Sequence, residues 1–208
     1  MKRIFTVILL SVSILSVDAQ VDKLAGPRVG VTIVQAGSLA SILRKDVPLF
    51  SDDIREEWTG STGKYGAVMS QYGWQWESRF ADGGNVTGIV EWIALVGGME
   101  KGMFLPSVSS MVGVRTSKGI EFAVGPNLSL GGIAMVIGAG YNFKFGKLNL
   151  PVNIAYVPSM DKSYHHDEES DPYRDDDGTW QETITPAYTV THPTGARVSI
   201  MVGFNLSK

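Results

Sequence analysis

Cysteine is absent from the 208 residues, which rules out a disulfide framework and any thiolate metal site. Charge is sparse as well: 18 Lys and Arg stand against 21 Asp and Glu, 19% of the chain. A net charge of −3 with no basic stripe excludes the electrostatic footprint of a nucleic-acid binder. Beyond residue 19 no apolar run approaches the roughly 20 residues that a bilayer-spanning helix requires. Only three histidines occur, and no nucleophile motif such as G-x-S-x-G is present. Glycine, by contrast, is plentiful at 24 residues, which suits a chain with many tight turns.

The N-terminus reads as an export signal. Lys2 and Arg3 precede an apolar run over residues 4–17, and Val17-Asp18-Ala19 offers a cleavage site before Gln20. The expected division is a signal peptide over 1–19 and one domain over 20–208.

After the signal, apolar residues recur with a period of two. Over 132–145 one parity holds Ile133, Met135, Ile137, Ala139, Tyr141, Phe143 and Phe145, and the other Ala134, Val136, Gly138, Gly140, Asn142 and Lys144. That is an extended strand with one greasy face and one small or polar face. Similar segments are expected near 28–35, 65–80, 86–96, 104–115, 120–130, 148–156 and 196–206. Pro106, Pro126 and Pro151 fall inside three of them and either weaken those strand assignments or mark bulges, since each removes a ladder donor. The connections include Asp82-Gly83, Gly97-Gly98, Lys118-Gly119 and Gly131-Gly132, which are reversal signals.

Eight strands of this kind predict an all-β fold: a single antiparallel up-and-down barrel, with short periplasmic turns and two long outer loops. The polar parity collects Glu77, Arg79, Glu91, Arg115, Glu121, Lys144 and Arg197, nearly balanced in sign, with Gly, Ala and Ser between them. The opposite parity is bulkier and apolar. A narrow eight-stranded barrel is filled by side chains alone, so these seven residues are expected to form an interior charge network, and buried charges must be paired. Phe80, Phe122, Tyr141, Phe143, Phe145 and Phe204 are expected at the periplasmic rim and Phe104 and Tyr156 at the outer rim, an aromatic girdle at lipid level. A soluble lipocalin-like barrel carrying a small apolar ligand would reverse the two faces.

The two long connections, 36–64 and 159–194, are the expected sites of any partner contact. The first carries Leu39, Ile42, Leu43, Val47, Leu49, Phe50 and Ile54, partly at helical spacing, and reads as a short cap. The second is an acidic loop holding His165, His166 and His192. Its Asp175-Asp176-Asp177-Gly178 lacks the later Glu of an EF-hand, and it reads as a solvated charged segment. No catalytic residue, cofactor or metal site is expected. A lipid-modifying enzyme using one of these histidines is the remaining alternative.

With this export signal, strand count, alternation and loop asymmetry, residues 26–208 resemble the eight-stranded outer-membrane barrels of the OmpA/OmpX type in Gram-negative bacteria. The run from Gly119 (GIEFAVGPNLSL) followed by Gly140-Tyr-Asn-Phe is also similar to Bacteroidetes outer-membrane proteins of unassigned function. The resemblance implies a non-enzymatic monomer in outer-membrane lipid whose role is structural, adhesive or partner-binding through its outer loops. One departure is that the last aromatic, Phe204, stands a few residues inside the end of the chain.

Overall fold

The computed structural model describes residues 24–46 and 64–206. The expected signal peptide, together with Val47, Leu49, Phe50 and Ile54, lies outside the described residues.

Seven long strands run up and down in sequence order: β1 (Leu24–Val34), β2 (Ala67–Asp82), β3 (Val86–Gly97), β4 (Leu105–Thr116), β5 (Ile120–Ser129), β6 (Gly132–Phe145) and β7 (Leu148–Val157). After β8 (Asp161–His166), β9 (Glu169–Arg174), β10 (Trp180–Thr185) and β11 (Tyr188–Pro193), the eighth wall strand is β12 (Arg197–Gly203), continued by β13 (Asn205–Leu206). β12 pairs with β7 on one side and with β1 on the other, which closes the barrel. Closure leaves no open sheet edge in the wall.

The period of two sorts the side chains as expected. Outward positions include Val31, Trp76, Trp92, Val112, Phe122, Ile137, Ile154 and Ile200, each about half exposed. Across the eight wall strands no outward-facing position between Val29 and Phe204 carries an acid, a base or a histidine. Of the seven charges expected inside, Glu77, Glu91, Arg115 and Glu121 are buried, Arg79 and Arg197 are half-buried, and Lys144, at the turn-end tip of β6, is exposed.

One end of the barrel is made of short turns: 83–85, 117–119 and 146–147. Gly119 and Gly146 adopt positive φ of 89° and 62° there, a conformation that glycine takes without steric cost. The other end carries the long connections. The bulge falls between Arg79 and Ala81 of β2 rather than at a proline. Near Pro126, however, the β4–β5 ladder skips from Ser109–Asn127 to Val112–Val124, consistent with the missing proline N–H.

The second long connection is not an irregular loop. β8 pairs with β11 and β9 with β10 in the register already set by β7 and β12. Val157 faces Arg197, Asp161 faces Pro193, His166 faces Tyr188 and Arg174 faces Trp180, so neither arm gains a residue. The ladder therefore continues past the barrel as a two-stranded arm. From Asp161 to Arg174 alone it is roughly 40 Å of extended chain at about 3.3 Å per residue.

Candidate functional site

The lumen is built in layers. At the turn end Arg115 on β4 faces Glu121 on β5 across the hairpin and donates from Nε to the Glu121 carboxylate. Its two terminal nitrogens form a fork on Glu77, with Nη1 2.6 Å from Oε1 and Nη2 on Oε2. Bidentate guanidinium–carboxylate pairs are among the stronger charged contacts a protein makes. Arg79 Nε lies 4.0 Å from Glu77 and is partly exposed.

Glu77 and Glu91 stand directly opposite each other on β2 and β3, an arrangement that like charge would destabilise. Separate partners relieve it. Arg115 holds Glu77, and Gln75 Nε2 donates to Glu91 Oε1 at 2.6 Å. Gln75 Oε1 in turn accepts from Arg28 Nε at 2.8 Å. Arg28 is almost wholly buried and belongs to this layer, although the sequence reading did not include it. Its parity, shared with Gly30 and Thr32, was the available signal.

Above this layer the lumen turns apolar. Ile93, Leu95, Met111, Ala123, Val136, Val157 and Met201 form one buried cluster. The expectation of a polar interior therefore holds in a layer on each side of the waist, and not in the waist or at the loop-end mouth, where Val34, Met69 and Leu105 are buried. β3 is apolar on both faces because its inner face supplies this belt.

Higher still the lumen becomes polar again. Thr32 donates to Gln71 Oε1 at 2.5 Å and contacts Ser199 at 2.7 Å, and Asn127 Nδ2 donates to Ser109 Oγ at 2.9 Å. Arg197 crosses from β12 to β5, with Nη1 3.1 Å from Ser129 Oγ and Nη2 3.2 Å from Asn127 Oδ1. It therefore sits a full layer away from the glutamates.

A six-residue helix, α1 (Ser38–Leu43), closes the mouth. Leu39, Ala40 and Leu43 pack on Val34, Met69 and Leu105. Ile42, also expected in the cap, is only half-buried. The two long connections meet at this rim, where Gln35 N donates to Ala196 O at 2.8 Å and Leu39 N to Thr194 O at 3.3 Å.

Three lumen cavities lined by described residues measure about 20, 40 and 20 Å³ from the turn end to the helix. Each holds about one to a few waters, far less than the several hundred cubic ångströms of a small-molecule site.

All eight expected girdle aromatics lie outside. Phe80, Phe122, Tyr141, Phe143, Phe145 and Phe204 cluster toward the turn end, and Phe104 and Tyr156 toward the loop end. Tyr141 and Phe143 meet edge to face with centroids 4.6 Å apart. Tyr72, Trp74, Trp76 and Trp92 add an aromatic patch on the wall, where Trp76 and Trp92 are cross-strand neighbours.

On the arm, His165 Nδ1 lies 3.0 Å from Thr189 Oγ1 and its Nε2 3.6 Å from Asp167. His166 stacks on Tyr188 at 4.4 Å and His192 on Tyr164 at 5.4 Å. The arm tip is held by Asp175, whose Oδ1 accepts from Thr179 N at 2.7 Å and Oδ2 from Gln181 Nε2 at 3.1 Å. Those bonds hold the Asp175 carboxyl below its usual range.

No family model and no curated protein matches the chain. Among solved structures it aligns with the β domain of the Bordetella autotransporter Brka at 8% identity, over 89% of this chain and 100% of that one, with a TM-score of 0.24. Likeness at that level says nothing about what the chain does.

Proposed function

We propose that the chain is a non-enzymatic outer-membrane barrel of the OmpA/OmpX type, exported by residues 1–19 and embedded as a monomer through residues 20–208. Its role is adhesive or partner-binding, carried by the arm and the helix cap at the outer end.

The observation that carries this reading is the inverted distribution of polarity. The outward face is uncharged and bulky around the whole circumference, while Glu77, Glu91, Glu121, Arg28 and Arg115 are buried within. A polar lumen, an apolar exterior and aromatic rims are what lipid demands of a barrel. On β6 the outward run from Ile133 to Phe145, at about 3.4 Å per residue and a tilt of about 40°, gives a band roughly 30 Å tall. That matches the apolar band of about 25 Å typical of such barrels. A ligand carrier would require a lumen with room for its cargo, and the cavities of 20 to 40 Å³ found among the described residues do not offer it.

The test is fractionation of the native host, with gel mobility compared for boiled and unboiled protein. Outer-membrane enrichment with a heat-dependent shift is expected. Recovery from the soluble periplasm with no shift would overturn the assignment.

A further inference from the structure

The lumen separates its charges. Glu77, Glu91 and Glu121 all lie in the turn-end layer with Arg28 and Arg115, and the apolar belt stands above them. On the other side of that belt Arg197 has two neutral partners, Ser129 and Asn127. Among the described residues it takes part in none of the ion pairs. Arg197 is half-buried, and a guanidinium drawn even partly out of water is costly unless its charge is balanced.

Beside it is the largest of the three lumen cavities, about 40 Å³, lined on its polar side by Arg197, Gln71, Ser107, Ser109, Asn127 and Ser199. No carboxylate lines it. Gln71 Oε1 accepts from Thr32, whose own oxygen is then the acceptor for Ser199, so the Gln71 Nε2 is the donor left over. Ser109 accepts from Asn127, which leaves its own hydroxyl proton to donate. A cation, an amide donor and serine hydroxyls around a carboxylate-free space form a constellation suited to an anion. A smaller cavity of about 20 Å³ shares Arg197, Gln71 and Ser107 with it and continues to Pro106, Leu130 and Gly131 at the loop-end rim.

We propose that the upper lumen binds a small inorganic monoanion of halide size on Arg197, with Gln71 and the Ser107 and Ser109 hydroxyls completing its shell. The volume decides the class. A few waters' worth of space accepts a halide-sized ion and refuses a phosphorylated lipid or a metabolite. The bound ion neutralises Arg197 and ties β12 to β2, β4 and β5 beneath the cap.

The experiment uses the full-length folded barrel in detergent. Thermal midpoints are measured in a sodium chloride series and in sodium gluconate of equal ionic strength, since gluconate is too large to enter. Crystals soaked in bromide supply a direct view by anomalous scattering. A midpoint that rises saturably with chloride but not with gluconate is expected, together with bromide density against Arg197. Arg197→Gln should abolish both, and Arg197→Lys, which keeps the charge, should retain part of the chloride response. If chloride and gluconate act alike on the wild type and no bromide appears at Arg197, the site does not exist. A chloride response undiminished in Arg197→Gln would equally overturn it. An acidic side chain found against Arg197 would mean that the protein balances this charge itself.

Discussion

Arg28 fills the space that a side chain at Gly203 would need. The two residues face each other across the β1–β12 ladder, and a Cβ on Gly203 would stand 2.0 Å from Arg28 Nη1 and 2.6 Å from Cζ. On the other side of Arg28 the facing residue is Gly73 of β2. A long guanidinium can lie flat against the wall at this level because both flanking positions are bare. From there it reaches Gln75 and, through Gln75, Glu91.

Gly203→Ala should therefore destabilise the barrel by displacing Arg28, while Arg28→Met in the same background should restore part of the loss. The coupling between the two sites is expected in the range of about 0.5–3 kcal/mol that neighbouring residues show, measured from unfolding midpoints in urea. Strictly additive effects would mean that Arg28 does not depend on the bare position.

Arg115 is the hub of the charge layer, since it bonds both Glu77 and Glu121. Arg115→Ala should cost about 3–5 kcal/mol, the usual penalty for leaving a buried charge uncompensated. Removing all three charges together, as Glu77→Gln, Arg115→Met and Glu121→Gln, should cost much less, because no orphaned ion remains. A triple variant as unstable as Arg115→Ala would show that packing, not charge balance, sets the penalty. The readout is the temperature at which the fast-migrating gel species is lost.

Much of this was legible from residue parity. Val124, Phe122 and Ile120 alternate with Ala123 and Glu121, and a one-residue slip would put a glutamate in contact with lipid, so the register could be read directly. Arg115 and Glu121 flank a tight turn, and their pairing follows from the hairpin. The waist of the lumen was not legible, because Ile93 and Leu95 on β3 sit opposite Trp92 and Ala94, and a strand apolar on both faces gives no parity. The arm was missed for the opposite reason. Thr183, Thr185, Thr189 and Thr191 are good strand formers, but they are exposed and the buried residue on their arm is the polar His192, so their alternation carries no hydropathy signal. Arg197 was identified as inward-facing, whereas its distance from every glutamate depends on strand stagger, which composition does not encode.

The arm should respond to pH through His192. Burial first, and the facing Lys162 second, push this imidazole below its usual 6.5; Lys162 is its cross-strand partner and Tyr164 stacks on its ring. The folded arm therefore keeps His192 neutral where the unpaired arm would already take up a proton. Pairing of β8 with β11 is at full strength above 6.5 and weakens as pH falls below it, until the folded imidazole is itself protonated. Hydrogen exchange at the β8 and β11 amides, corrected for intrinsic rates, should accelerate on acidification in the wild type and stay level in His192→Gln. Equal acceleration in both proteins would place the effect elsewhere.

The strongest test of the lipid-facing surface is the depth dependence of a charge placed on it. Val124 lies at mid-height on β5 and points outward, and Leu130 lies outward just past the loop-end tip of the same strand. In a bilayer, Val124→Lys should cost about 2–4 kcal/mol and Leu130→Lys about 0–1 kcal/mol, because the penalty falls from the midplane toward the interface. A water-facing wall makes no such distinction, since both positions are about half exposed and a surface lysine is nearly neutral to stability. Unfolding free energies measured in lipid vesicles, compared with the same pair in aqueous buffer, separate the two cases. A steep Val124 penalty confined to vesicles would fix the outer wall as the lipid contact. Equal and small penalties at both sites would require the apolar wall to be covered by something other than a membrane.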